Sequence, residues 1–381
     1  MGNLRFNTQN SKPEFFVGVE YAIDNKDVDA CKALVDRTKN FTNLFVVDSF
    51  HITRDLIALN EICDYVYDAG LYFLVHFVSP IGEGLQLQYN FFPHMWIIDA
   101  KEKYCDKFLG VYAMDEPGGN QLDRGSFRMV NPEDIVSAAQ ASSLYVEYLA
   151  DHVDYFTYTR KCVDVTVLTS DYGLYWFDYK AGYDTILVEF AWNHSRPLHL
   201  ALCRGAANVQ NMEWGVMETW TYNHEPYLAS AEDVYNDLVL GYLTGAKYEV
   251  IFDYPETNFS AYGTLTEEHF GALEEFWSYI NQNPGKHGSE KAKVAYVLPE
   301  NFGAAFRNIN DKLWGLDLYE YGDTLWGTLT TTELSEKVLN DVNKLIDEYG
   351  TSLDIVYSDP EFADSLHDKY TQLFFWNQTL T

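Results

Sequence analysis

The sequence predicts an α/β fold, a (β/α)8 TIM barrel followed by a small C-terminal parallel α/β module. The length of 381 residues is sufficient for a large barrel with an appendage. From residue 14 onward, short β-rich apolar runs alternate with amphipathic helical stretches, as expected when helices surround a parallel sheet. Eight such βα units within about 270 residues match the usual size of a barrel of this kind.

Each predicted strand is an apolar run, and helix signals lie between the runs. Asn131 and Ser230 predict helix starts, whereas Gly70 and Gly245 predict helix ends just before the third and eighth strands. The fifth unit is the weakest, because the segment at 171–183 allows only a short helix. The eight predicted strands lie at 15–21, 43–49, 71–78, 108–116, 163–169, 185–192, 214–220 and 248–254.

The polar stretch at 281–291 predicts a linker, because Asn, Pro, Gly and Lys concentrate there. We therefore place the barrel at residues 1–283 and a second domain at residues 284–381. Two apolar strands, "KVAYVLP" and "LDIVYSD", flank the helical stretch "TELSEKVLNDVNKLIDEYG", and "QLFFW" closes the pattern. This order predicts a small parallel module of the flavodoxin- or amidotransferase-like type, cut short at its end. The module would either buttress the barrel or mediate homo-oligomerisation.

Composition excludes some partners. With 57 acidic and 26 basic side chains, the net charge of −31 would repel nucleic acid and anionic lipid surfaces, so nucleic acid is not an expected partner. The N-terminus lacks an apolar signal region and no run approaches 18 apolar residues, so we expect neither a signal peptide nor a membrane span in this chain. Four N-x-S/T sequons, which begin at Asn40, Asn193, Asn258 and Asn377, favour an extracellular or cell-surface location.

Known cofactor and metal motifs are not found. The five cysteines are widely spaced without a CxxC pair, which indicates neither a disulfide framework nor a zinc site. There is no HExxH, no Walker loop, no GxGxxG after a strand and no GxSxG elbow. The sequence therefore predicts no metal and no cofactor, and it argues against nucleotide-driven, dehydrogenase and α/β-hydrolase chemistry.

Ionisable residues end seven of the eight predicted strands. In a barrel of this type the chemistry lies at the carboxyl ends of the strands, and such residues are costly to bury unless they are paired or functional. Aromatic residues lie beside them, and carboxylates next to rings suit a sugar site. We therefore expect a carbohydrate substrate. The candidate catalytic or substrate-binding residues are Glu20, Asp48, His76, Asp115, Glu116, Glu189, Trp192, Asn193, Trp214, Glu218, Trp220 and Asp253.

Two of these strand ends carry a resemblance to a known group of enzymes. The strand-four ending "MDEP" resembles the Asn-Glu-Pro or Asp-Glu-Pro of many (β/α)8 glycoside hydrolases of the clan A-like type, and "VMETW" is similar to their nucleophile strand. The resemblance implies a retaining glycoside hydrolase that cleaves an oligo- or polysaccharide. Glu116 would be its general acid/base and Glu218 its nucleophile. Sugar hydroxyls would bind to Glu20, Asp48, Asp115 and Asn193, and Trp192, Trp214 and Trp220 would stack on the sugar.

Several alternatives stay open. Asp115 stands where the common retaining pattern has Asn, and the adjacent Asp and Glu also resemble hexosaminidases that use substrate assistance. There Asp115 would orient an acetamido group, Glu116 would protonate the leaving oxygen, and Glu218 would not be a nucleophile. Glu218 could also face an outer helix and pair with an Arg, in which case Glu189 is the rival second carboxylate. Outside this chemistry, the protein could be a non-catalytic carbohydrate-binding or surface protein on a barrel, or a metal-dependent barrel lyase or hydrolase.

Overall fold

Eight parallel strands form a closed barrel in which every strand pairs with the next and β8 pairs with β1. The computed structural model describes residues 13–23, 27–79, 89–123, 128–135, 137–191, 193–220, 228–253, 265–309, 311–316 and 331–380. All eight predicted strands are present. Their bounds are β1 (Phe16–Tyr21), β2 (Leu44–Val47), β3 (Tyr72–Phe77), β4 (Phe108–Ala113), β5 (Thr166–Asp171), β6 (Thr185–Ala191), β7 (Glu213–Thr219) and β8 (Tyr248–Asp253).

Ten α-helices lie within the described part of the barrel region, and the predicted short helix of the fifth unit is α7. None of the helices in the described ranges combines the length and the apolar character that a membrane crossing requires. The bounds are α1 (Val28–Thr38), α2 (Phe50–Thr53), α3 (Leu56–Asp68), α4 (Pro93–Tyr104), α5 (Pro117–Asp123), α6 (Ala138–Arg160), α7 (Tyr175–Lys180), α8 (Arg196–Gln210), α9 (Ala231–Thr244) and α10 (Glu267–Gln282).

Three of the four helix signals act as predicted. The Ser230 side chain accepts a hydrogen bond from the Asp233 N–H at 3.0 Å, and both Gly70 (φ 82°) and Gly245 (φ 95°) have the left-handed backbone that ends a helix. The prediction of a helix start at Asn131 is wrong. A single 3₁₀ turn follows it, and the extended backbone of Ile135 then interrupts the helical path, so α6 begins only at Ala138.

Side chains alternate between the barrel interior and the outer helical layer, because successive residues of a strand point to opposite faces. The register of each strand therefore decides whether its terminal acid reaches the barrel mouth, at the carboxyl ends of the strands, or the layer outside. The interior is filled by one apolar cluster, made of Phe16, Leu44, Val46, Leu74, Leu109, Tyr112, Leu168, Leu187, Met217, Tyr248 and Val250.

The C-terminal module has the predicted parallel sheet, which consists of three strands in the order β10-β9-β11. Its elements are β9 (Val294–Leu298), α11 (Thr331–Tyr349), β10 (Leu353–Tyr357), α12 (Ala363–Lys369) and β11 (Gln372–Phe375).

The module packs directly on the barrel through α8. Nε of Arg204 donates to Oδ1 of Asp354 at 2.8 Å, and both side chains are buried. At Gly205 an added Cβ would lie 2.5 Å from the carbonyl oxygen of Ile355, so only glycine permits this approach. The module therefore buttresses the barrel, while homo-oligomerisation and the division of the chain at residue 283 stay predictions.

Candidate active site

The strand ends of β1 to β6 bring a group of polar side chains together above the apolar interior cluster. Glu20, Asp48, His76, Ser170 and Glu189 each lie two residues beyond an inward position of their strand. Tyr112 belongs to the interior cluster itself, and its hydroxyl contacts Asp115. We call the following residues the mouth cluster: Glu20, Asp48, His76, Tyr112, Asp115, Ser170 and Glu189.

One side of the mouth cluster is a chain of oxygen atoms that links β4, β5 and β6. The Tyr112 hydroxyl donates to Oδ1 of Asp115 at 2.5 Å and lies 2.8 Å from the Ser170 hydroxyl oxygen. Ser170 in turn donates to Oε1 of Glu189 at 2.8 Å. Tyr112, Ser170 and Glu189 are at most 4% exposed, whereas Asp115 is exposed at the mouth. The chain therefore connects an exposed carboxylate to a buried one.

The other side of the cluster is an acid pair with an imidazole. Nδ1 of His76 forms an ion pair with Oδ1 of Asp48. Burial opposes protonation of His76, but the charges of Asp48 and Asp115 outweigh it and raise the pKa of the imidazole. Glu20 is fully buried, and no described N–H or O–H group donates to its oxygens. Burial first, then the charge of Asp48 and a hydrogen bond to it, raise the pKa of Glu20, so we assign a proton to this carboxyl.

The carboxyl of Glu189 also has a pKa well above its usual range. Burial is the largest cause, followed by the charges of Glu116 and Asp115, while the hydrogen bond from Ser170 opposes them. The Asp115 residue as a whole is exposed, but its carboxyl group is turned into the mouth cluster, where partial loss of solvent and the charge of Asp48 raise its pKa, although the bond from Tyr112 and the charge of His76 lower it. Carboxyl groups this close cannot all ionise, so the mouth cluster retains protons at pH values where isolated carboxyls have lost them.

Asp115 lies between two residues with left-handed backbones, Met114 (φ 64°) and Glu116 (φ 47°). Non-glycine residues rarely adopt this conformation, and where they do, the surrounding structure must hold it. The Glu116 N–H donates to the carbonyl of Ser170 at 3.2 Å. The turn thereby directs the Asp115 side chain to Tyr112 and brings the Glu116 charge close to Glu189.

The glycines of the "DEPGG" stretch are explained by close packing against β5 and the residues after it. A Cβ on Gly118 would lie 2.4 Å from the carbonyl oxygen of Gly173, and one on Gly119 would lie 2.2 Å from the Tyr172 ring. Pro117 begins α5, where a missing N–H costs nothing. Asp115 and Glu116 are therefore followed by a tight turn that packs so closely on its neighbours that only glycine fits at residues 118 and 119.

Glu218 does not reach the mouth, and the prediction that it faces Glu116 across the opening is wrong. Its neighbour Met217 belongs to the interior cluster, so Glu218 points to the outer layer. The charged groups around it are Asp237 of α9 and Arg196 of α8, which form an ion pair at 2.9 Å. Burial, followed by the charge of Asp237, raises the pKa of Glu218 well above its usual range.

Trp214 and Trp220 share the outward register of Glu218, so the prediction that they stack on a sugar in the mouth is also wrong. The Trp220 Nε1–H donates to the carbonyl of Phe252 at 2.8 Å, and its ring lies 4.4 Å from that of His269 on α10. Trp214 lies near the opposite end of the barrel, where its carbonyl accepts from the Lys247 N–H. Both indoles are therefore structural.

Three predicted site residues remain: Trp192, Asn193 and Asp253. Asn193 is exposed in the connection between β6 and α8. Trp192 and the side chain of Asp253 lie outside the described residues, and the Asp253 backbone pairs with Tyr21 at the end of β8. Within the described ranges, no group of three or more His, Cys, Asp or Glu is arranged to hold a metal ion.

Sequence reasoning missed Ser170 as a site residue, and it noted Tyr112 only as an aromatic neighbour of the acids. The signal for Ser170 was its position two residues beyond the inward Leu168. A hydroxyl residue at a strand end is too common to be noticed without knowledge of which face is inside. Both residues matter because their hydroxyl groups connect Asp115 with Glu189.

Solved structures share this fold, although the chain matches no known protein family and no curated protein sequence. A cold-adapted β-galactosidase from Rahnella sp. R3 has a TM-score of 0.61 and 11% identity over 96% of this chain and 67% of that one. A GH5_18 protein from Streptomyces cattleya in complex with GlcNAc has a TM-score of 0.56 and 14% identity, over 96% of this chain and 99% of that one. The exo-β-1,4-mannosidase Op5Man5 from Opitutaceae bacterium strain TAV5 has a TM-score of 0.54 and 11% identity, over 95% and 72%.

The chain therefore has the (β/α)8 barrel fold found in glycoside hydrolases, as the eight βα units predicted. At these sequence identities the likeness concerns the fold, and the chemistry has to be judged from the site itself.

Proposed function

We propose that the protein is a glycoside hydrolase that binds a carbohydrate in the barrel mouth and uses Glu116 and Glu189 as its two carboxylates. The observation that carries this proposal is the electrostatic coupling of these residues. After burial, the charge of Glu116 is the largest cause of the raised pKa of Glu189. Acid-assisted glycosidic cleavage requires two carboxyl groups that lie close to each other, one of which keeps its proton.

Unpartnered polar atoms support a sugar as the bound molecule. No described group donates a hydrogen bond to the buried carboxyl oxygens of Glu20, which is itself bonded to Asp48, and Nε2 of His76 is buried without a hydrogen-bond partner among the described residues. Leaving such a group unsatisfied costs roughly 1–3 kcal/mol. A sugar hydroxyl both donates and accepts, so it can satisfy a carboxyl oxygen and an imidazole nitrogen at the same time. Neighbouring hydroxyls of one ring would match the close spacing of Glu20, Asp48 and His76.

The difference in burial assigns the roles. Glu189 is 4% exposed and retains its proton, so it would protonate the glycosidic oxygen as the carbon–oxygen bond breaks. Glu116 is half-buried at the rim and would act as the ionised partner, stabilising the positive charge that develops at the anomeric carbon. This assignment differs from the one that the family resemblance implies, in which Glu116 is the acid/base and a β7 glutamate is the nucleophile.

Three substitutions test the proposal on a panel of aryl glycosides. On the glycosides of the panel with poor leaving groups, we expect Glu116→Gln and Glu189→Gln to lower kcat/KM by at least about 100-fold, which is typical of the loss of an acid or base. Glu218→Gln is the matched control and should retain wild-type turnover, because Glu218 faces the outer layer. If Glu218→Gln abolishes activity while the other two variants remain active, the proposed pair is wrong.

Leaving-group dependence separates the two roles. If Glu189 is the proton donor, Glu189→Gln should lose activity on glycosides with poor leaving groups and retain most of it on dinitrophenyl glycosides, which leave without protonation. Glu116→Gln should lose activity on both. The opposite pattern would make Glu116 the acid, as the resemblance implies.

A second candidate is a substrate-assisted N-acetylhexosaminidase, and the outward direction of Glu218 favours it. This reaction needs no carboxylate on β7, because the acetamido oxygen of the substrate attacks the anomeric carbon. Asp115, held by Tyr112 at 2.5 Å, would orient the acetamido group and Glu116 would donate the proton. Turnover of aryl N-acetylglucosaminides but not of the matching glucosides would support it. Glycan binding without turnover on any substrate would instead indicate a non-catalytic binding protein.

A further inference from the structure

The carboxylate of Asp171, at the end of β5, is surrounded by backbone N–H groups. Its Oδ2 accepts from Gly118 at 2.5 Å, and its Oδ1 accepts from Gly119 at 2.9 Å, Tyr172 at 2.7 Å and Gly173 at 3.0 Å. Two of these donors belong to the first turn of α5, directly after Glu116. The side chain is fully buried on the outer side of the barrel, so it cannot contact a substrate in the mouth.

A residue of β5 and one of the connection between α7 and β6 hold the preceding part of the same turn. The Tyr183 hydroxyl donates to the carbonyl of Ala113 at 2.8 Å, and Oγ1 of Thr169 donates to the carbonyl of Met114 at 2.5 Å. The backbone from Ala113 to Gly119 is thus bonded to its neighbours at nearly every step. This network holds the left-handed conformations of Met114 and Glu116, which the chain would not adopt by itself.

Asp171 has a second buried carboxyl beside it. The Asp178 side chain of α7 is hydrogen-bonded to Asp171, and its Oδ1 accepts from the Tyr145 hydroxyl at 2.6 Å. Two adjacent buried carboxyls cannot both be charged, and the one with four N–H donors is the better site for the negative charge. Burial raises the pKa of Asp171 to about 7 and the four N–H bonds oppose that rise, so above this pH Asp171 carries the charge and Asp178 holds the proton of the pair. Burial and the charge of Asp171 accordingly raise the pKa of Asp178 well above its usual range.

We propose that Asp171 is a positioning residue, which, with protonated Asp178 as its hydrogen-bond donor, holds the β4–α5 turn so that Glu116 faces Glu189. The catalytic part of this inference rests on the proposed function, whereas the hold on the turn does not. Removing one acceptor oxygen from Asp171 should release the turn and move Glu116 away from its partner. Small displacements of this kind lower turnover strongly, because reacting groups must be held within about 0.5 Å.

Two isosteric substitutions distinguish the charged member of the pair from the protonated one. In Asp171→Asn an amide NH2 replaces one acceptor oxygen and faces backbone N–H groups that it cannot satisfy. In Asp178→Asn the amide reproduces a protonated carboxyl, since it still donates to Asp171 and still accepts from Tyr145. We therefore expect Asp171→Asn to be disruptive and Asp178→Asn to be nearly silent.

Peptide-resolved hydrogen–deuterium exchange tests the hold on the turn without any substrate. In Asp171→Asn the amides of residues 114–123 should exchange at least tenfold faster than in the wild type, while Asp178→Asn should match the wild type. Thr169→Val should act in the same direction with a smaller effect, and it serves if Asp171→Asn does not fold. Glu249→Gln, which alters a fully buried carboxyl on β8, is the control and should leave exchange at 114–123 unchanged.

Kinetics test the catalytic part. Asp171→Asn should lower kcat more than tenfold with a smaller change in KM, and Asp178→Asn should retain both values. Unchanged exchange and unchanged kcat in Asp171→Asn would overturn the proposal, and an equally disruptive Asp178→Asn would overturn the placement of the proton. If the wild type cleaves no glycoside, the proposed function fails, but the exchange experiment still decides whether Asp171 holds the turn.

Discussion

At the scale of single residues, Asp115 and Glu189 belong to the same mouth cluster but differ in exposure and in the hydroxyl group that donates to them. Both have raised pKa values, yet Asp115 is exposed and accepts from Tyr112, whereas Glu189 is buried and accepts from Ser170. The Tyr112 and Ser170 hydroxyl groups between them are neutral, and their hydrogen bonds fix the orientation of both carboxyl groups. The Asp115 charge contributes to the raised pKa of Glu189, so a substitution at one residue should change the titration of the other.

Asp115→Asn should shift the alkaline limb of the pH–activity profile to lower pH. The proposed acid, Glu189, works only while protonated, so activity falls as the pH rises through its raised pKa. Removing the neighbouring negative charge lowers that pKa, because ionisation of Glu189 then meets less repulsion. We expect kcat/KM of the variant to decline at a lower pH than that of the wild type. A limb that stays in place or moves to higher pH would contradict the role of Glu189.

Two buried acids outside the mouth show that burial alone does not identify a catalytic group. Glu218 and Glu249 are both fully buried; the Glu218 carboxyl is hydrogen-bonded to Asp237, whereas the carboxyl oxygens of Glu249 have no hydrogen-bond partner among the described residues. Their pKa values are raised mainly by burial. Both residues lie in the outward register of β7 and β8, so they belong to the outer layer and their neutral form is a packing requirement.

At the scale of elements, the β4–α5 turn depends on two glycines for close approach rather than for flexibility. Gly118 and Gly119 have ordinary backbone angles, but neither has room for a Cβ against Gly173 and Tyr172. The Tyr172 hydroxyl also donates to Asp123, at the end of α5, at 3.0 Å. The helix that follows the β4–α5 turn is thus held against the β5–α7 connection at both of its ends.

Gly119→Ala should destabilise the protein and lower its activity, and Gly271→Ala is the matched control. The new methyl group at residue 119 would overlap the Tyr172 ring, and overpacking of this kind typically costs about 1–3 kcal/mol. Gly271, in the exposed face of α10, has no atom within 4 Å of the added Cβ, so alanine there should stabilise by about 0.5–1 kcal/mol. Thermal unfolding of both variants checks this, and a Gly119→Ala protein as stable as the wild type would contradict it.

Periodicity and turn chemistry predicted the strands, because each βα unit carries its own local signals. They did not predict which face of β7 lies inside. Val216 and Met217 are both apolar, so the pattern around Glu218 does not distinguish the interior from the helical layer. Glu189 has the same ambiguity, as it lies between Val188 and Phe190. Only the closed barrel determines the register of both strands, and it places Glu189 inside and Glu218 outside.

At the scale of the whole molecule, the C-terminal module and the barrel share contacts next to the β4–α5 turn. The buried Gln121 side chain of α5 donates to the carbonyl of Trp314 at 2.8 Å, and its oxygen accepts from the N–H groups of Met129 and Val130. Arg307 binds both carboxyl oxygens of Asp123, at 2.9 and 2.7 Å. Residues of the C-terminal part thus contact α5 on one side, and Asp171 of the barrel accepts hydrogen bonds from its first turn on the other.

The stability of the whole protein should increase as the medium becomes mildly acidic. A carboxyl with a raised pKa keeps a proton in the folded chain that the unfolded chain has released, so its contribution grows as the pH falls from the folded pKa to about 4. A histidine with a lowered pKa does the opposite, and its contribution is lost as the pH falls below about 6.5. The raised carboxyls are Glu20, Asp115, Asp171, Asp178, Asp184, Glu189, Glu218, Asp237 and Glu249. The lowered histidines are His152, His194, His199 and His269.

The carboxyls outnumber these histidines, and neutralising acidic groups also reduces the repulsion within a chain of net charge −31. We therefore expect a higher Tm at about pH 5.5 than at about pH 8. Differential scanning calorimetry across this range checks the sign. The double variant Glu218→Gln and Glu249→Gln should show a weaker pH dependence, because two of the carboxyls that take up protons on folding are gone. A Tm that is equal at both pH values, or higher at pH 8, would show that these carboxyls are ionised in the folded protein, and the protonated state assigned to Glu189 would then fail with them.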